Sequence, residues 1–356
     1  MTPLRFTALL AATQLVIARP IAAPAKVTVK QGEQPTATLP KGTPQAHGLA
    51  TNWTWSESSS VKSVSKNNGV PVSISQVDDL KKFARLATVA YCTDSFQGTS
   101  FTCKNYCSDF PGTIVLSTFD TPEYGTVGFI ARNDNQKAIY VVYRGSSSTT
   151  NFAQDIKFAT TSYPAGGEVH LGSFVGIPHA DRWKITIFHI IVPGFYENYE
   201  ESRDLVYNPV VSQMKKGYKL HLIGHSLGGS VAVLQALDFY QNAGFDNSNT
   251  ITYTYGEPRL GDPDFARYVN KTGLRIFRTI SMNDIVPHLP PSAFGYLHHS
   301  GEYWIKNSAG DVVLCAIADD DTCADSTVPF TSIPAHLLYW DSAPTPAKSD
   351  PSNDLK

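Results

Sequence analysis

A serine within a glycine-rich turn is the residue whose setting points most clearly to chemistry. The segment Lys219–Gly229 reads KLHLIGHSLGG and places Ser226 at the centre of a Gly-x-Ser-x-Gly pattern. The apolar run before the serine predicts a buried strand, and the apolar residues three and four apart after it predict a helix. A serine on such a sharp strand-to-helix turn exposes its hydroxyl and can attack a carbonyl carbon. We therefore predict that Ser226 is a nucleophile.

Acyl transfer also requires hydrogen-bond donors for the charged oxygen of its tetrahedral intermediate. In α/β-hydrolases one donor is the backbone N–H after the nucleophile, and another comes from an early strand–helix loop. Leu227 supplies the first. Ala138–Tyr143 is a predicted strand that runs into Arg144-Gly-Ser-Ser-Ser148, where Ser146 is placed to supply the second. The two serines after Ser146 are equally compatible with capping a helix.

The nucleophile needs a base and an acid that orients the base. Asp284 follows the predicted strand Arg275–Ile280, and in α/β-hydrolases the histidine comes later in the chain than the acid. Four histidines meet that condition, namely His288, His298, His299 and His336. Spacing alone does not choose among them. His336 is favoured because it is the one near the end of the predicted ordered chain.

The elements around these residues predict an α/β protein. Strands alternate with helices, which implies a mostly parallel central sheet with flanking helices. The predicted strands are Gly125–Ala131, Ala138–Tyr143, the end of one at Glu168–Gly172, Leu220–Ile223, Thr250–Tyr255 and Arg275–Ile280. The predicted helices are Val77–Cys92, Phe195–Met214, Leu227–Tyr240 and Pro263–Val269.

The chain falls into four parts by composition. Residues 1–18 carry one basic residue, a short apolar core and a small-residue cleavage site, which indicates a secretory signal peptide. Residues 19–70 are rich in Pro, Ala, Thr, Ser and Lys and are predicted to be a propeptide or disordered leader. The catalytic domain is expected at 71–341, followed by a disordered tail at 342–356.

Charge and cysteine usage limit the function classes. The first 70 residues hold seven basic and two acidic residues, so the remainder has a net charge of −7, which argues against a nucleic-acid partner. The five cysteines fit an oxidising compartment and therefore a secreted, extracellular protein. Cys103 with Cys107, and Cys315 with Cys323, are spaced for small disulfide loops, and Cys92 is left over. No Cys–His set has the spacing of a metal site.

The stretch Ser147–Phe158 predicts a short capped helix that carries Phe152, Ile156 and Phe158. A short amphipathic helix beside an active site can act as a lid that opens on a lipid surface. An ordinary surface helix fits the pattern equally well.

Together these motifs resemble the fungal class 3 triacylglycerol lipases of the Rhizomucor miehei type. The resemblance runs in order from about residue 71 to 341 and rests on several segments. They are Tyr91-Cys92, the strand into 144–148, Val169-His-x-Gly172, Gly224–Gly229, Gly256-Glu-Pro-Arg259, Asn283–Pro291, Phe294–His298 and Val328–Thr331.

The resemblance implies a secreted α/β-hydrolase with a signal peptide, a propeptide, a short helical lid and no cofactor. By position, Ser226 is the nucleophile, Asp284 the orienting acid and His336 the base. Ser146 and Leu227 form the oxyanion hole, and the helix near Ser147–Asp155, with Phe152 and Asp155, is the lid. We expect a monomer without a transmembrane segment that acts on lipid or ester substrates at an oil–water interface.

Three departures from the family pattern stand out. The family's lid often carries tryptophan where Phe152 stands. The family's cysteine at the position of Cys92 normally pairs near the C-terminus, where this chain has none. Most importantly, 22 extra residues, Ser173–Gly194, separate the Val-His-x-Gly segment from the aromatic Phe195 that begins the next helix. We interpret this anomalous insertion (173–194) as translated intron or a gene-model error.

Three functions remain open at the level of sequence. The first is a secreted triacylglycerol lipase. The second is a related carboxylic ester hydrolase such as a feruloyl esterase, because that branch shares the elbow and the Gly-Glu-Pro-Arg segment. The third is a catalytically impaired lipid-surface binding protein whose site the insertion disturbs. Reaction with a serine-directed phosphonate separates the third from the other two.

Overall fold

The described residues form a nine-stranded mixed sheet, a small two-stranded sheet and flanking helices. The computed structural model describes residues 69–146, 160–163, 168–170, 194–299 and 301–342. In chain order the strands are β1 (Val70–Pro71), β2 (Thr113–Asp120), β3 (Val127–Asn133), β4 (Ala138–Tyr143), β5 (Thr160–Ser162), β6 (Glu168–His170), β7 (Lys219–His225), β8 (Thr250–Tyr255), β9 (Arg275–Ser281), β10 (Glu302–Ile305) and β11 (Val312–Cys315). The α-helices are α1 (Ile74–Val89), α2 (Phe195–Gln213), α3 (Leu227–Asn242), α4 (Pro263–Lys271) and α5 (Ile333–His336).

The nine-stranded sheet has the order β1-β11-β10-β9-β8-β7-β4-β3-β2. Strands β4, β7, β8, β9 and β10 pair in parallel. The strands outside this block pair antiparallel, and β5 and β6 form a separate two-stranded sheet. The predicted α/β class, with a mostly parallel sheet and flanking helices, is confirmed.

The sheet separates two hydrophobic cores because successive strand residues point to opposite faces. In β4, Ile139 and Val141 face the core that contains α2, α3 and α4, whereas Tyr140 and Val142 face the core that contains α1. Every residue of β4 is buried, as expected for a central parallel strand covered by helices on both faces.

Helix ends follow local capping chemistry. The Ser73 hydroxyl accepts from the Gln76 N–H and begins α1. Asp262 accepts from the Phe265 N–H, and Pro263 occupies the first turn of α4, where its missing N–H costs nothing. The predicted helices at these places are confirmed, although α1 begins at Ile74, before the expected Val77, and ends at Val89, where a 3₁₀ segment, Ala90–Ser95, runs past the expected end at Cys92.

The described chain extends slightly beyond the expected catalytic domain at both ends. Val70, at the end of the expected leader, pairs with Leu314 in the sheet. Ser342, at the start of the expected tail, is buried, and its backbone exchanges two hydrogen bonds with Tyr339. The predicted signal peptide, most of the predicted leader, the rest of the expected tail and nearly all of the segment interpreted as an insertion lie outside the described residues.

Both predicted disulfides, Cys103–Cys107 and Cys315–Cys323, are present, and Cys92 belongs to neither. No described helix is long and apolar enough to cross a lipid bilayer.

Candidate active site

The serine elbow joins the carboxyl end of β7 to the start of α3. Ser226 has φ 57° and ψ −130°, a strained conformation for a residue with a Cβ. The turn is tight: a Cβ on Gly224 would lie 2.0 Å from the Gly228 carbonyl oxygen, and one on Gly228 would lie 2.5 Å from the Tyr143 carbonyl oxygen. Only glycine fits at either position. The strand–turn–helix setting predicted for Ser226 is therefore present.

Asp284 and His336 form a buried pair beside this elbow. Asp284 lies three residues beyond β9, and His336 is the last residue of α5. The His336 Nδ1 lies 2.9 Å from Oδ2 and 3.0 Å from Oδ1 of Asp284, and both side chains are fully buried. The carboxylate also accepts hydrogen bonds from the Tyr339 hydroxyl at 2.6 Å and the Val286 N–H at 2.9 Å. These contacts fix the orientation of the imidazole ring.

Backbone contacts place this pair next to Ser226. The Ser226 N–H donates to the Tyr255 carbonyl at 2.8 Å, and the following residue, Gly256, packs directly against the His336 ring. Neither the Ser226 Oγ nor the His336 Nε2 has a hydrogen-bond partner among the described residues, although both atoms are buried. In a Ser-His-Asp triad the Nδ1 faces the acid and the Nε2 receives the serine proton, which is the arrangement left open here.

The other three candidate histidines form hydrogen bonds with groups other than Asp284. His288 Nδ1 lies 2.8 Å from Asp325 Oδ1. His298 Nε2 donates to the Pro287 carbonyl, and burial lowers the pKa of His298 well below its usual value. The arrangement thus favours His336 among the four.

His299 belongs to a second buried histidine–carboxylate pair. Its Nε2 lies 3.0 Å from Glu257 Oε1, and Thr254 donates to the other carboxylate oxygen at 2.6 Å. Here it is the Nε2 that faces the acid, the reverse of the triad arrangement. We assign this pair a packing role beneath α3, where the Gly229 position lies against the Glu257 side chain.

The two predicted oxyanion-hole residues belong to segments that adjoin Ser226. Leu227 is the first residue of α3, whose initial N–H groups lack partners within the helix. Ser146 follows Gly145, on which a Cβ would lie 2.8 Å from the Ser226 Cβ. The loop after β4 therefore lies against Ser226. The predicted lid residues Phe152 and Asp155 fall outside the described residues.

Four residues that build the site had no role predicted from the sequence. Tyr339 hydrogen-bonds Asp284, Gly256 packs on His336, and Tyr91 and His225 contact each other beside the serine. Gly256 and Tyr91 stood in the family-like segments, and His225 within the elbow motif, but nothing local in the sequence indicated their contacts.

One cluster of potential metal ligands occurs among the described residues, formed by Glu302, Cys315 and Cys323. The two cysteines are joined in a disulfide, so they offer no thiolate to a metal.

Replacement of Gly256 by alanine should impair catalysis more than stability. A Cβ there would lie 2.6 Å from His336 Cε1 and Nδ1 and 2.9 Å from Asp284 Oδ2, so the pair must shift. A displacement of the His336–Asp284 pair by about 1 Å lowers kcat by about 10- to 100-fold. Steady-state kinetics and thermal unfolding of Gly256→Ala measure the two effects separately.

Gly244→Ala provides the matched control. Gly244 has φ +67°, close to the +63° of Gly256, but a Cβ there meets nothing within 4 Å. Both variants should lose about 1–2 kcal/mol of stability because alanine disfavours positive φ. Gly256→Ala should lose more, because its Cβ overpacks a buried site, and only Gly256→Ala should lose kcat. Equal losses of kcat in the two variants would refute the packing argument.

Sequence comparison shows that this chain is similar to known lipases. Residues 140–294 match the family model described as lipase (class 3). The chain is 37% identical over 310 residues to a lipase from Rhizomucor miehei, covering 85% of this chain and 79% of the relative. It is 35% identical over 292 residues to a lipase from Rhizopus niveus, covering 80% of this chain and 69% of the relative.

The solved structures that resemble this chain are also lipases. The Rhizomucor miehei triacylglyceride lipase superposes with a TM-score of 0.67 at 35% identity, covering 78% of this chain and 98% of that one. A structure described as a triacylglycerol lipase with a serine protease triad at its catalytic centre has a TM-score of 0.68 at 36% identity, with coverage of 78% and 98%. The chain is a serine ester hydrolase with the α/β-hydrolase fold, and it belongs to the class 3 lipase family.

Proposed function

We propose that this protein is a secreted triacylglycerol lipase that cleaves fatty-acyl esters through an acyl-enzyme. One observation carries the proposal. The buried Asp284–His336 pair leaves the His336 Nε2 without a hydrogen bond in the described part of the chain, next to the elbow that carries Ser226. In this proposal Ser226 is the nucleophile, His336 the base and Asp284 the acid that orients it.

The proposed reaction has two halves. The His336 Nε2 takes the proton from Ser226 as its oxygen attacks the ester carbonyl, while Leu227 and Ser146 stabilise the oxyanion. The intermediate collapses when the imidazolium gives its proton to the leaving glycerol oxygen. Water, deprotonated by His336, then attacks the acyl-enzyme and releases the fatty acid, and the proton returns to Ser226.

The surface near the acid and the base favours a lipid substrate. Phe330 is 82% exposed, and its carbonyl accepts from Asn283, the residue before Asp284. Val328 is 50% exposed, and Leu338, two residues beyond His336, is 44% exposed. Exposed apolar side chains beside a reaction centre are suited to contact with acyl chains. Under this proposal, the segment predicted to be a helix, with Phe152 and Asp155, is the lid of the site.

The proposal is tested with a triolein emulsion, the full chain and a chain lacking residues 173–194. In the shortened chain Gly172 takes the place of Gly194, the residue immediately before α2, whose N–H lies 3.4 Å from the Glu197 carboxylate. Because one glycine replaces another at the helix start, we expect the shortened chain to fold and to hydrolyse triolein.

The outcomes of this experiment are distinct. Activity of both chains supports the lipase and makes the insertion a tolerated loop, and activity of the shortened chain alone supports our interpretation of the insertion. Faster turnover of a feruloyl ester by both chains would favour the esterase alternative. Absence of phosphonate labelling in both chains, despite cooperative unfolding, would favour the binding protein and contradict the lipase.

Secretion with removal of a leader is part of the proposal. A secreted mono- and diacylglycerol lipase of Gibberella zeae is 30% identical over 283 residues, covering 68% of this chain and 67% of the relative. The similarity to the Rhizomucor miehei lipase covers 85% of this chain, which is more than residues 71–356 can supply, so part of the leader is included. A related structure is described as a lipase–propeptide complex, which supports a propeptide at 19–70.

Secretion from a eukaryotic host should add a glycan at Asn270. The Asn270-Lys-Thr272 sequon lies at the exposed end of α4, just before β9. Asp284 follows the opposite end of β9, so a glycan here would not obstruct the reaction. We expect glycosidase treatment to lower the mass of the secreted protein, and Asn270→Gln to lower it by one glycan with unchanged activity.

Thr272→Ser keeps the sequon and serves as the control. It should retain the full mass of the glycosylated protein. If Asn270→Gln secreted by the same host has the same glycan mass as the unaltered chain, Asn270 is not modified and the expectation is wrong.

A further inference from the structure

A line of hydrogen bonds through Tyr91 and His225 joins the loop that contains Ser146 to the backbone of His336. Tyr91 lies in the 3₁₀ segment after α1, and its hydroxyl lies 2.7 Å from the Nδ1 of His225. The same hydroxyl accepts the Gly145 N–H at 3.1 Å. On the other side of the ring, the His225 Nε2 lies 2.9 Å from the His336 carbonyl oxygen.

The chemistry of the end groups fixes the direction of every bond. A carbonyl oxygen only accepts, so the His225 Nε2 carries the proton and donates to His336. In a neutral imidazole the Nδ1 is then an acceptor, and the Tyr91 hydroxyl donates to it. The Tyr91 oxygen in turn accepts from the Gly145 N–H. All donors and acceptors along the line are satisfied when both side chains are neutral.

Burial keeps both side chains neutral. It lowers the pKa of His225 well below its usual value, and the neighbouring His336 lowers it further. Burial likewise raises the pKa of Tyr91. The centroids of the His225 and His336 rings lie 4.5 Å apart. A charged His225 would repel the imidazolium that forms on His336, so the reaction is compatible only with a neutral His225.

Both ends of the line belong to the machinery of hydrolysis. Gly145 precedes Ser146, His225 precedes Ser226, and the accepting carbonyl is that of His336 itself. Three chain segments that are distant in sequence must keep their relative positions for the oxyanion donor, the nucleophile and the base to act together. The line contacts all three of these segments and no reacting atom.

We propose that Tyr91 and His225 are positioning residues that hold the Ser146 loop and His336 in fixed positions relative to Ser226. The proposal rests on the proposed function. A histidine suits position 225 because a flat ring carries a donor and an acceptor on opposite sides. Asparagine reproduces the polar atom near Nδ1, and glutamine the one near Nε2, but neither reproduces both.

The test is Tyr91→Phe, which removes one oxygen and two hydrogen bonds while retaining the ring. We expect kcat on a soluble short-chain ester to fall by about 10- to 100-fold with KM within twofold, because geometry and not substrate affinity is disturbed. The rate of phosphonylation of Ser226 should fall in parallel, since that reaction uses the same nucleophile, base and oxyanion donors.

Tyr140→Phe is the matched control. Tyr140 is also buried, and its hydroxyl donates to Gln136 at 2.6 Å, but it has no contact with the proposed machinery. It should show the loss of thermal stability expected for a lost tyrosine hydrogen bond with unchanged kcat. A kcat of Tyr91→Phe within twofold of the unaltered chain, or an equal loss in both variants, would overturn the proposal.

A second variant covers the case in which Tyr91→Phe does not fold. His225→Asn keeps a polar atom facing Tyr91 but loses the bond to the His336 carbonyl, so we expect a similar fall in kcat at unchanged KM. An unaltered kcat in this variant would also contradict the proposal. If the unaltered chain itself neither hydrolyses the ester nor reacts with the phosphonate, it is the proposed function that fails, and not the positioning role.

Discussion

Ser226→Ala is expected to lower kcat by about 10⁶-fold, to the level of the uncatalysed reaction assisted only by binding and the oxyanion donors. The substitution removes the attacking oxygen and nothing else that the site needs. Because alanine also has a Cβ, the conformation at φ 57° is no less strained than before, and no hydrogen bond of the Ser226 Oγ to a described residue is lost. Thermal stability should therefore change little, and phosphonate labelling should disappear.

Ser230→Ala is the matched control for this expectation. Ser230 lies one turn further along α3, is fully buried, and likewise has a hydroxyl with no hydrogen-bond partner among the residues described. The control should keep full activity and full labelling. Residual hydrolysis above about one thousandth in Ser226→Ala, with labelling retained, would mean that another residue is the nucleophile.

The serine elbow was predictable from sequence because its determinants are local. Gly224, Ser226 and Gly228 lie within five residues, and the strand and helix that define their conformation adjoin them directly. The same reasoning applies to the capped start of α4, where Asp262 and Pro263 are adjacent. In each case the side chains that determine the backbone conformation are neighbours in sequence, so a short pattern carries the information.

The residues that support the site were not predictable in this way, because the residues that they contact are distant in sequence. Tyr339 and Asp284 are 55 residues apart, and Tyr91 and His225 are 134 apart. A tyrosine in an apolar segment fits a packing role equally well, and only the fold decides where its hydroxyl points. The choice of His336 over the other histidines rested on its place near the end of the predicted ordered chain and on the family resemblance, and not on its contacts.

Four strands of the main sheet, β1, β2, β10 and β11, were not predicted from sequence, and they lie at the two ends of the sheet. A bulge between Val115 and Ser117 in β2 interrupts the alternation of buried and exposed residues by which a strand is recognised. Strands β10 and β11 have four residues each, which is too short for a periodic pattern. Central strands such as β4 were found because burial on both faces makes them continuously apolar.

Asp284→Asn is expected to lower kcat by about 10⁴-fold while leaving the packing intact. The amide has the shape of the carboxylate but cannot accept the His336 Nδ1 proton with both of its polar atoms. Its NH₂ group would also face a donor, either the Tyr339 hydroxyl or the Val286 N–H. The imidazole then loses the partner that fixes its tautomer and stabilises its positive charge. Kinetics on a soluble ester measure the loss without interference from interfacial binding.

Glu257→Gln distinguishes a chemical role from a structural one. Glu257 is a second fully buried carboxylate that contacts a histidine, His299, and it also accepts from Thr254. Both substitutions leave a buried amide where several donors converge, so both should lower thermal stability. Only Asp284→Asn should lower kcat by orders of magnitude, because in the proposed mechanism His336 takes the serine proton, whereas the His299 Nε2 faces Glu257. A larger loss of kcat in Glu257→Gln would transfer the acid–base role to the Glu257–His299 pair.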